Sequence, residues 1–282
     1  MNHQKRVAAI HDISGFGKCS LTVALPVLSA AGIETAVMPT AVLSTHTACK
    51  PGYTYRDLTE DLLPFAENWK ANELQFDAIY SGFLGSSEQI EIVSRIFDLL
   101  ANDSTLKIVD PAMADNGRMY SVFDRAFAVD MGELCRKADV IVPNFTEAAF
   151  MLGEEYQNPP YTREYVRQLT ERLASRFGAS VVLTGIAYDD AHIGAAAFDH
   201  RSGAYTEAIT PKVGGMYHGT GDVFASVLTA GLVRGQDLMK ACKAAVEYTY
   251  ACIDRTFREY PYMTYGVDFE SDLYIMREIS AP

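Results

Sequence analysis

The chain has 282 residues, 49% hydrophobic and 21% charged, enough for one large α/β domain with a substantial core. Its formal charge of −12 argues against nucleic acid or an anionic membrane as main partner, so an anionic ligand needs a local positive site. Cys19, Cys49, Cys135, Cys242 and Cys252 are odd in number and show no Cys-x-x-Cys spacing, which predicts reduced thiols rather than disulfides or a zinc site; together with the short apolar run after Met1–Arg6, too short for a signal segment, this reads as a cytoplasmic protein.

In chain order, Arg6–His11 is a short apolar strand ending in Asp12-Ile13-Ser14-Gly15-Phe16-Gly17, and Cys19–Ala31 reads as a helix stopped by Gly32. The third glycine of a dinucleotide fingerprint is missing and Ser20 does not complete a P-loop, so both motifs are rejected. Ser14 stands where the strand ends, the place where ligands gather in open α/β sheets; its competing role is to cap the turn. Ile33–Met38 is a second strand, and Thr40–Thr47 ends in a polar loop in which Thr45 and His46 are candidate ligand contacts.

Tyr55–Lys70 carries apolar residues at helical spacing, Phe76–Tyr80 is a buried strand, and Ser81–Ser86 is another glycine loop. After a helix over Ile90–Leu100, the strand Leu106–Val109 runs into Asp110-Pro111, and Asp115-Asn116-Gly117 has turn chemistry. Two carboxylates just beyond a strand suit Mg²⁺ held through water and substrate phosphates. Met119–Arg136 reads as helical. Asp139–Pro143 is a strand, and Asn144 followed three residues later by Glu147 fits a capping box, with a place beside Asp110 as the functional alternative.

Thr162–Phe177 is a helix, Val181–Gly185 a strand whose end offers Thr184 and Gly185, and Ala191–Phe198 with Ala204–Ile209 a β-hairpin. Gly214–Asp222 then places four glycines in eight residues ahead of a helix over Asp222–Val233, and a second helix runs from Leu238 to Ile253. The N–H groups around Gly219, Thr220 and Gly221, with the positive end of the helix, make an anion site. A carboxylate there would repel phosphate, so Asp222 suits a group that takes a proton from an attacking hydroxyl; the competing reading makes it a helix cap. The aromatic tail, Phe257 to Tyr274, reads as edge packing, and with no linker or repeat the expectation is one domain over 1–282. Repeated strand, polar loop and helix units predict a mostly parallel sheet with helices on both faces and the polar loops along one edge. That inventory suits phosphoryl transfer to a hydroxyl.

Six segments in order, Ser14–Gly17, Ser44–Thr47, Ser81–Ser86, Asp110–Asp115, Pro143-Asn144 with Glu147, and Gly219–Asp222, give the chain a resemblance to the ribokinase-like vitamin kinases, and within them to the pyridoxal kinases. The resemblance implies that Asp222 deprotonates a 5′-hydroxymethyl group while the N–H groups of Gly219–Gly221 stabilise the transferred phosphoryl. It implies that Asp110, Asn144 and Glu147 organise Mg²⁺ and the phosphates of ATP, with Asp110 and Glu147 as the metal residues and Thr184 and Gly185 near the nucleotide. Ser14, Thr45, His46 and Tyr80 would face a pyridine ring. A homodimer and a monovalent cation such as K⁺ go with the same resemblance.

Ala112 and Ala114 depart from it, standing where the pattern has Val and Gly, and alanine narrows the loop's dihedral freedom. Hydroxymethylpyrimidine kinases share most of these segments but often carry Cys in place of the base, so Asp222 and the Ser14 loop favour the B6 vitamers. No early lid segment of the sugar-kinase kind is present. A ligand-binding protein that kept the fold and lost the reaction is the reading from another class, and the intact Asp222 and glycine loop oppose it.

Overall fold

The computed structural model describes residues 4–47, 49 and 52–282; the Met1–His3 start of the charged N-terminal segment lies outside them. Among the described residues the strands are β1 (Arg6–Ser14), β2 (Glu34–Leu43), β3 (Tyr55–Asp57), β4 (Ala78–Ser81), β5 (Leu106–Val109), β6 (Ala114–Asp115), β7 (Arg118–Met119), β8 (Val140–Ile141), β9 (Ser180–Ile186), β10 (His192–Phe198) and β11 (Tyr205–Pro211). The helices are α1 (Leu21–Ala30), α2 (Thr59–Ala71), α3 (Ser87–Leu100), α4 (Arg125–Cys135), α5 (Phe145–Met151), α6 (Arg163–Phe177), α7 (Thr220–Val233), α8 (Leu238–Glu259) and the short α9 (Met276–Ile279).

Nine strands form one sheet in the order β11-β10-β9-β8-β5-β4-β1-β2-β3. Its centre, from β2 through β9, is parallel, and β3, β10 and β11 pair antiparallel at the two edges. Alternate residues bury on opposite faces. Val7, Ala78, Tyr80, Ile108 and Val182 pack with α1, α7 and α8, whereas Ala8, Ile10, Ile79, Val109 and Leu183 pack with the face that carries α2 to α6. A single α/β domain with helices on both faces is thus what the sequence pattern predicts. Among the described residues no helix is long and apolar enough to cross a membrane.

Several boundaries differ from the sequence expectation, each for a local reason. Tyr55–Asp57 is not helical but pairs with Ala41–Leu43 as an exposed edge strand, and Asp57 accepts the Thr59 N–H at 2.8 Å to start α2 there. The expected helix over Met119–Arg136 begins only at Arg125, because Tyr120 donates its N–H to the Met113 carbonyl and Asp124 caps the N–H groups of Ala126 and Phe127. β2 continues through Pro39 to Leu43, with a register shift against β1 between His11 and Ile13. Within the tail Phe269 is core and Tyr265 rests on Phe16, but Tyr262 and Tyr274 are exposed, so edge packing holds for part of it.

The candidate active site

The carboxyl ends of β1, β2, β4, β5, β8 and β9 and the N-terminus of α7 lie along one side of the sheet, which brings the predicted loops together. Asp222 sits in the first turn of α7, whose N-cap is Gly219 at φ 72° and ψ 4°. That left-handed backbone favours glycine, and a Cβ there would collide with the Lys18 carbonyl, so Gly219 is where the Ser14 loop and α7 interlock. The first intrahelical bond runs from Val223 N–H to Gly219 C=O, leaving the N–H groups of Thr220 and Gly221 outside the helix ladder. Burial pushes the Asp222 carboxyl up to about 7, the Ser20 N–H works against that, and the nearby Asp12 carboxylate adds to it. A carboxylate that takes and releases a proton near neutral pH beside free helix-end N–H groups is suited to accept a hydroxyl proton while phosphate is held alongside.

The second group of residues surrounds β5, β8 and the β6–β7 hairpin. Asn144 realises the capping box in full: its Oδ1 accepts the N–H groups of Thr146 (2.8 Å) and Glu147 (3.0 Å), and Glu147 Oε2 accepts the Asn144 N–H (2.8 Å). Both residues also reach across to the loop after β5. Asn144 Nδ2 donates to the Ala114 carbonyl at 2.8 Å, and Glu147 Oε1 accepts the Met113 N–H at 3.1 Å. The capping role and the loop-holding role are therefore the same set of bonds.

These bonds also decide the question of the alanines. Left-handed backbone falls on Asn116 (φ 50°) and Gly117 (φ 75°) at the tip of the hairpin, and neither Ala112 nor Ala114 adopts it. The expected restriction by alanine is thus not felt, since the loop turns where the sequence has Asn-Gly.

Asp110 and Glu147 both titrate well above the ordinary carboxylate range, Asp110 through burial and the neighbouring charges of Glu147 and Asp222, Glu147 through burial against three backbone N–H groups that pull it down. Two buried carboxylates that repel each other fit a divalent cation, which would relieve the repulsion. Among the described residues no group of three or more His, Cys, Asp and Glu side chains is placed to hold a metal ion. Thr184 lines up beside Asn144 through an isolated bridge and donates its N–H to the Pro143 carbonyl at 2.9 Å, and Gly185 next to it is exposed.

On the other side, Ser14 is buried and donates to Asp12 Oδ2 at 3.2 Å. Thr45 and His46 are partly exposed; the His46 N–H donates to the Phe16 carbonyl at 2.7 Å, and its ring lies 5.1 Å from that of His218. Burial and His218 bring the His46 imidazole down to about 4, so it is neutral at physiological pH. Tyr80, expected to face a ring, is fully buried, with its phenol among Asp110, Asp222 and Ser226. The period-2 alternation of β4 turns it toward α7, so that its phenol lies beneath the site, next to Asp110 and Asp222. The aromatic offered at that strand end is Phe83, half-buried against Phe123. Phe83, Asp12 and His218 were missed in the sequence; Phe83 and Asp12 each stand within two residues of a strand end, which was the available signal.

The sequence profile of the family described as phosphomethylpyrimidine kinase matches residues 26–262, well over half of the chain. The chain belongs to this family. Within it, a Bacteroides thetaiotaomicron protein provisionally named a phosphomethylpyrimidine kinase, crystallised with pyridoxal, is 35% identical with a TM-score of 0.91 over 99% of this chain and 97% of its own. Pyridoxal kinase from Lactobacillus plantarum is 29% identical with a TM-score of 0.89 and covers 98% of both chains. The hydroxymethylpyrimidine/phosphomethylpyrimidine kinase of Bacillus subtilis is 26% identical over 187 residues, 66% of each chain. The chain is therefore a pyridoxal kinase-like phosphotransferase of the ribokinase-like fold, with relatives named for two different rings.

Proposed function

We propose that this protein transfers the γ-phosphoryl group of ATP to the 5′-hydroxymethyl group of a B6 vitamer, giving the 5′-phosphate and ADP. The observation that carries the reading is Asp222, a carboxylate titrating at about 7 on the first turn of α7, next to the free N–H groups of Thr220 and Gly221. Asp222 takes the hydroxyl proton as the new O–P bond forms, and the helix-end N–H groups hold the charge on the transferred phosphoryl. Asp110 and Glu147 are the residues that would hold Mg²⁺, which when bound neutralises phosphate charge. Asn144 and Thr184 keep that side of the site in register. Ser14, Thr45, His46 and Phe83 are assigned to the ring. Pyridoxal in the crystal of the Bacteroides relative supports the choice of ring.

The test is ATP-dependent phosphorylation of pyridoxal, pyridoxine, pyridoxamine and hydroxymethylpyrimidine under identical conditions. The expected outcome is turnover of at least one B6 vitamer with higher kcat/KM than the pyrimidine. Turnover of the pyrimidine alone moves the assignment to thiamine precursors, and tight binding without turnover of any ring removes the kinase assignment. Homodimer formation goes with this reading and is checked by sedimentation equilibrium.

A further inference from the structure

Ser20 precedes α1 as its N-cap, yet its side chain makes no capping bond, although serine is among the preferred caps. Its backbone sits at φ 51° and ψ −132°, a conformation that L-residues rarely adopt. Both departures have one explanation in the surroundings. Asp12, 5% exposed at the register shift between β1 and β2, has the hydroxyls of Ser14 and Ser20 directed at its carboxylate. The Ser20 N–H, turned outward by the unusual backbone, acts on the Asp222 carboxylate. The segment is clamped in this place, because Gly219 at the start of α7 fits directly against the Lys18 carbonyl and the Lys18 N–H donates to Tyr265 O at 3.2 Å. Cys19, between them, feels the charges of both Asp12 and Asp222.

We propose that Asp12 is a positioning residue for the phosphoryl-transfer step, holding Ser20 through its hydroxyl so that the Ser20 N–H fixes the orientation of the Asp222 carboxylate. The proposal rests on the assignment of Asp222 as the base. Ser20 gives up its capping bond and accepts a strained backbone because its two hydrogen-bonding groups serve two different carboxylates. Strain of this kind persists where the surroundings over-determine it and clusters at functional sites. The register shift that aims Asp12 is of the sort found beside active sites. The charged and titratable groups facing Asp222 are Asp12 from β1, Cys19 ahead of α1, Tyr80 from β4, Asp110 after β5 and Tyr120 after β7. Of these, Asp12 is the carboxylate that shares Ser20 with it, and the Cys19 thiol also interacts with the Ser20 hydroxyl.

The experiment compares wild type with Asp12→Asn, Ser20→Gly and Ser20→Ala in steady-state phosphorylation, and follows amide hydrogen exchange at Ser20 in serine-labelled protein. Glycine relieves the backbone strain, so a purely structural role for Ser20 leaves Ser20→Gly neutral or more stable with full activity. The proposal expects kcat to fall about 10- to 100-fold in Asp12→Asn and Ser20→Gly, as for a reacting group held slightly out of place, with KM for ring and ATP within about twofold. It also expects faster Ser20 amide exchange in Asp12→Asn and Asp222→Ala. Unchanged kcat in the first two variants overturns it, as do losses confined to KM and thermal stability. If wild type turns over none of the rings, the proposed function fails on its own, and the exchange measurement still decides: protection lost in both carboxylate variants supports the link, and unchanged protection overturns it.

Discussion

The two sides of the site are built on opposite principles. Around Asn144 and Glu147 each named polar side chain carries two or more hydrogen bonds to backbone, so the loop after β5 is satisfied in geometry and left unsatisfied only in charge. Around Asp222 the backbone is strained at Ser20 and left-handed at Gly219, and Tyr80 and Ser226 are buried close to it. On the proposed reading, the first side would hold a pair of charges for a cation, and the second would keep one carboxylate and the helix-end N–H groups pointed at the reacting oxygen. The difference teaches that a residue's structural bonds and a functional role need not compete: the bonds of Glu147 fix the loop, and the proposed metal role asks only that its proton leave.

If that contrast is right, substitutions on the Asp222 side strike kcat and those on the Asn144 side strike nucleotide binding and stability. The largest effect expected is from Asp222→Asn, a loss of roughly 10²- to 10⁴-fold in kcat, the range a general base supplies. Next is Gly219→Ala, which places a Cβ into the Lys18 carbonyl at a left-handed position and should abolish most activity while lowering Tm by several degrees in a thermal melt. A rise in KM for ATP with kcat unchanged would break the contrast.

On the other side, Asn144→Ala removes a cap and the tie to Ala114, with an expected cost of about 1–2 kcal/mol in denaturant unfolding and a raised KM for MgATP. Smaller again is the pH effect. Asp222 titrates at about 7 when folded, above its ordinary carboxylate value, so its contribution to stability is complete in acid below that ordinary value and is lost as pH rises through 7. Asp222→Asn should therefore be the more stable protein at pH 8, with the advantage gone near pH 4. Mg²⁺ should for the same reason raise Tm more at pH 8 than at pH 5, because it meets the ionised Asp110–Glu147 pair only after the protons have left.

Much of the fold was legible because the evidence for it is local. Apolar runs closed by glycine or a cap mark α6 and β5 almost to the residue, and the Asn144 capping box is spelled in four letters. Regions whose structure is set by a distant partner were not legible: Tyr55–Asp57 looks helical until β2 offers it an edge, and Phe123 looks helical until the loop after β5 takes the preceding N–H groups. In the site, the loops named from strand ends converge as expected, but the full burial of Tyr80 depends on the packing of β4 under α7, which spacing alone does not reveal. Asp12 escaped notice for a related reason. Its link to Asp222 depends on the close fit of Gly219 against the Lys18 carbonyl, which no local pattern reveals.

The central claim, that Asp222 is the base between a ring hydroxyl and a phosphoryl group, is tested most directly by measuring kcat for pyridoxal phosphorylation and equilibrium pyridoxal affinity in parallel for wild type and Asp222→Asn. The account predicts a kcat lower by at least roughly a hundredfold with affinity changed by less than about threefold. Equal kcat in the two proteins, or a loss carried entirely by weaker binding, would contradict it.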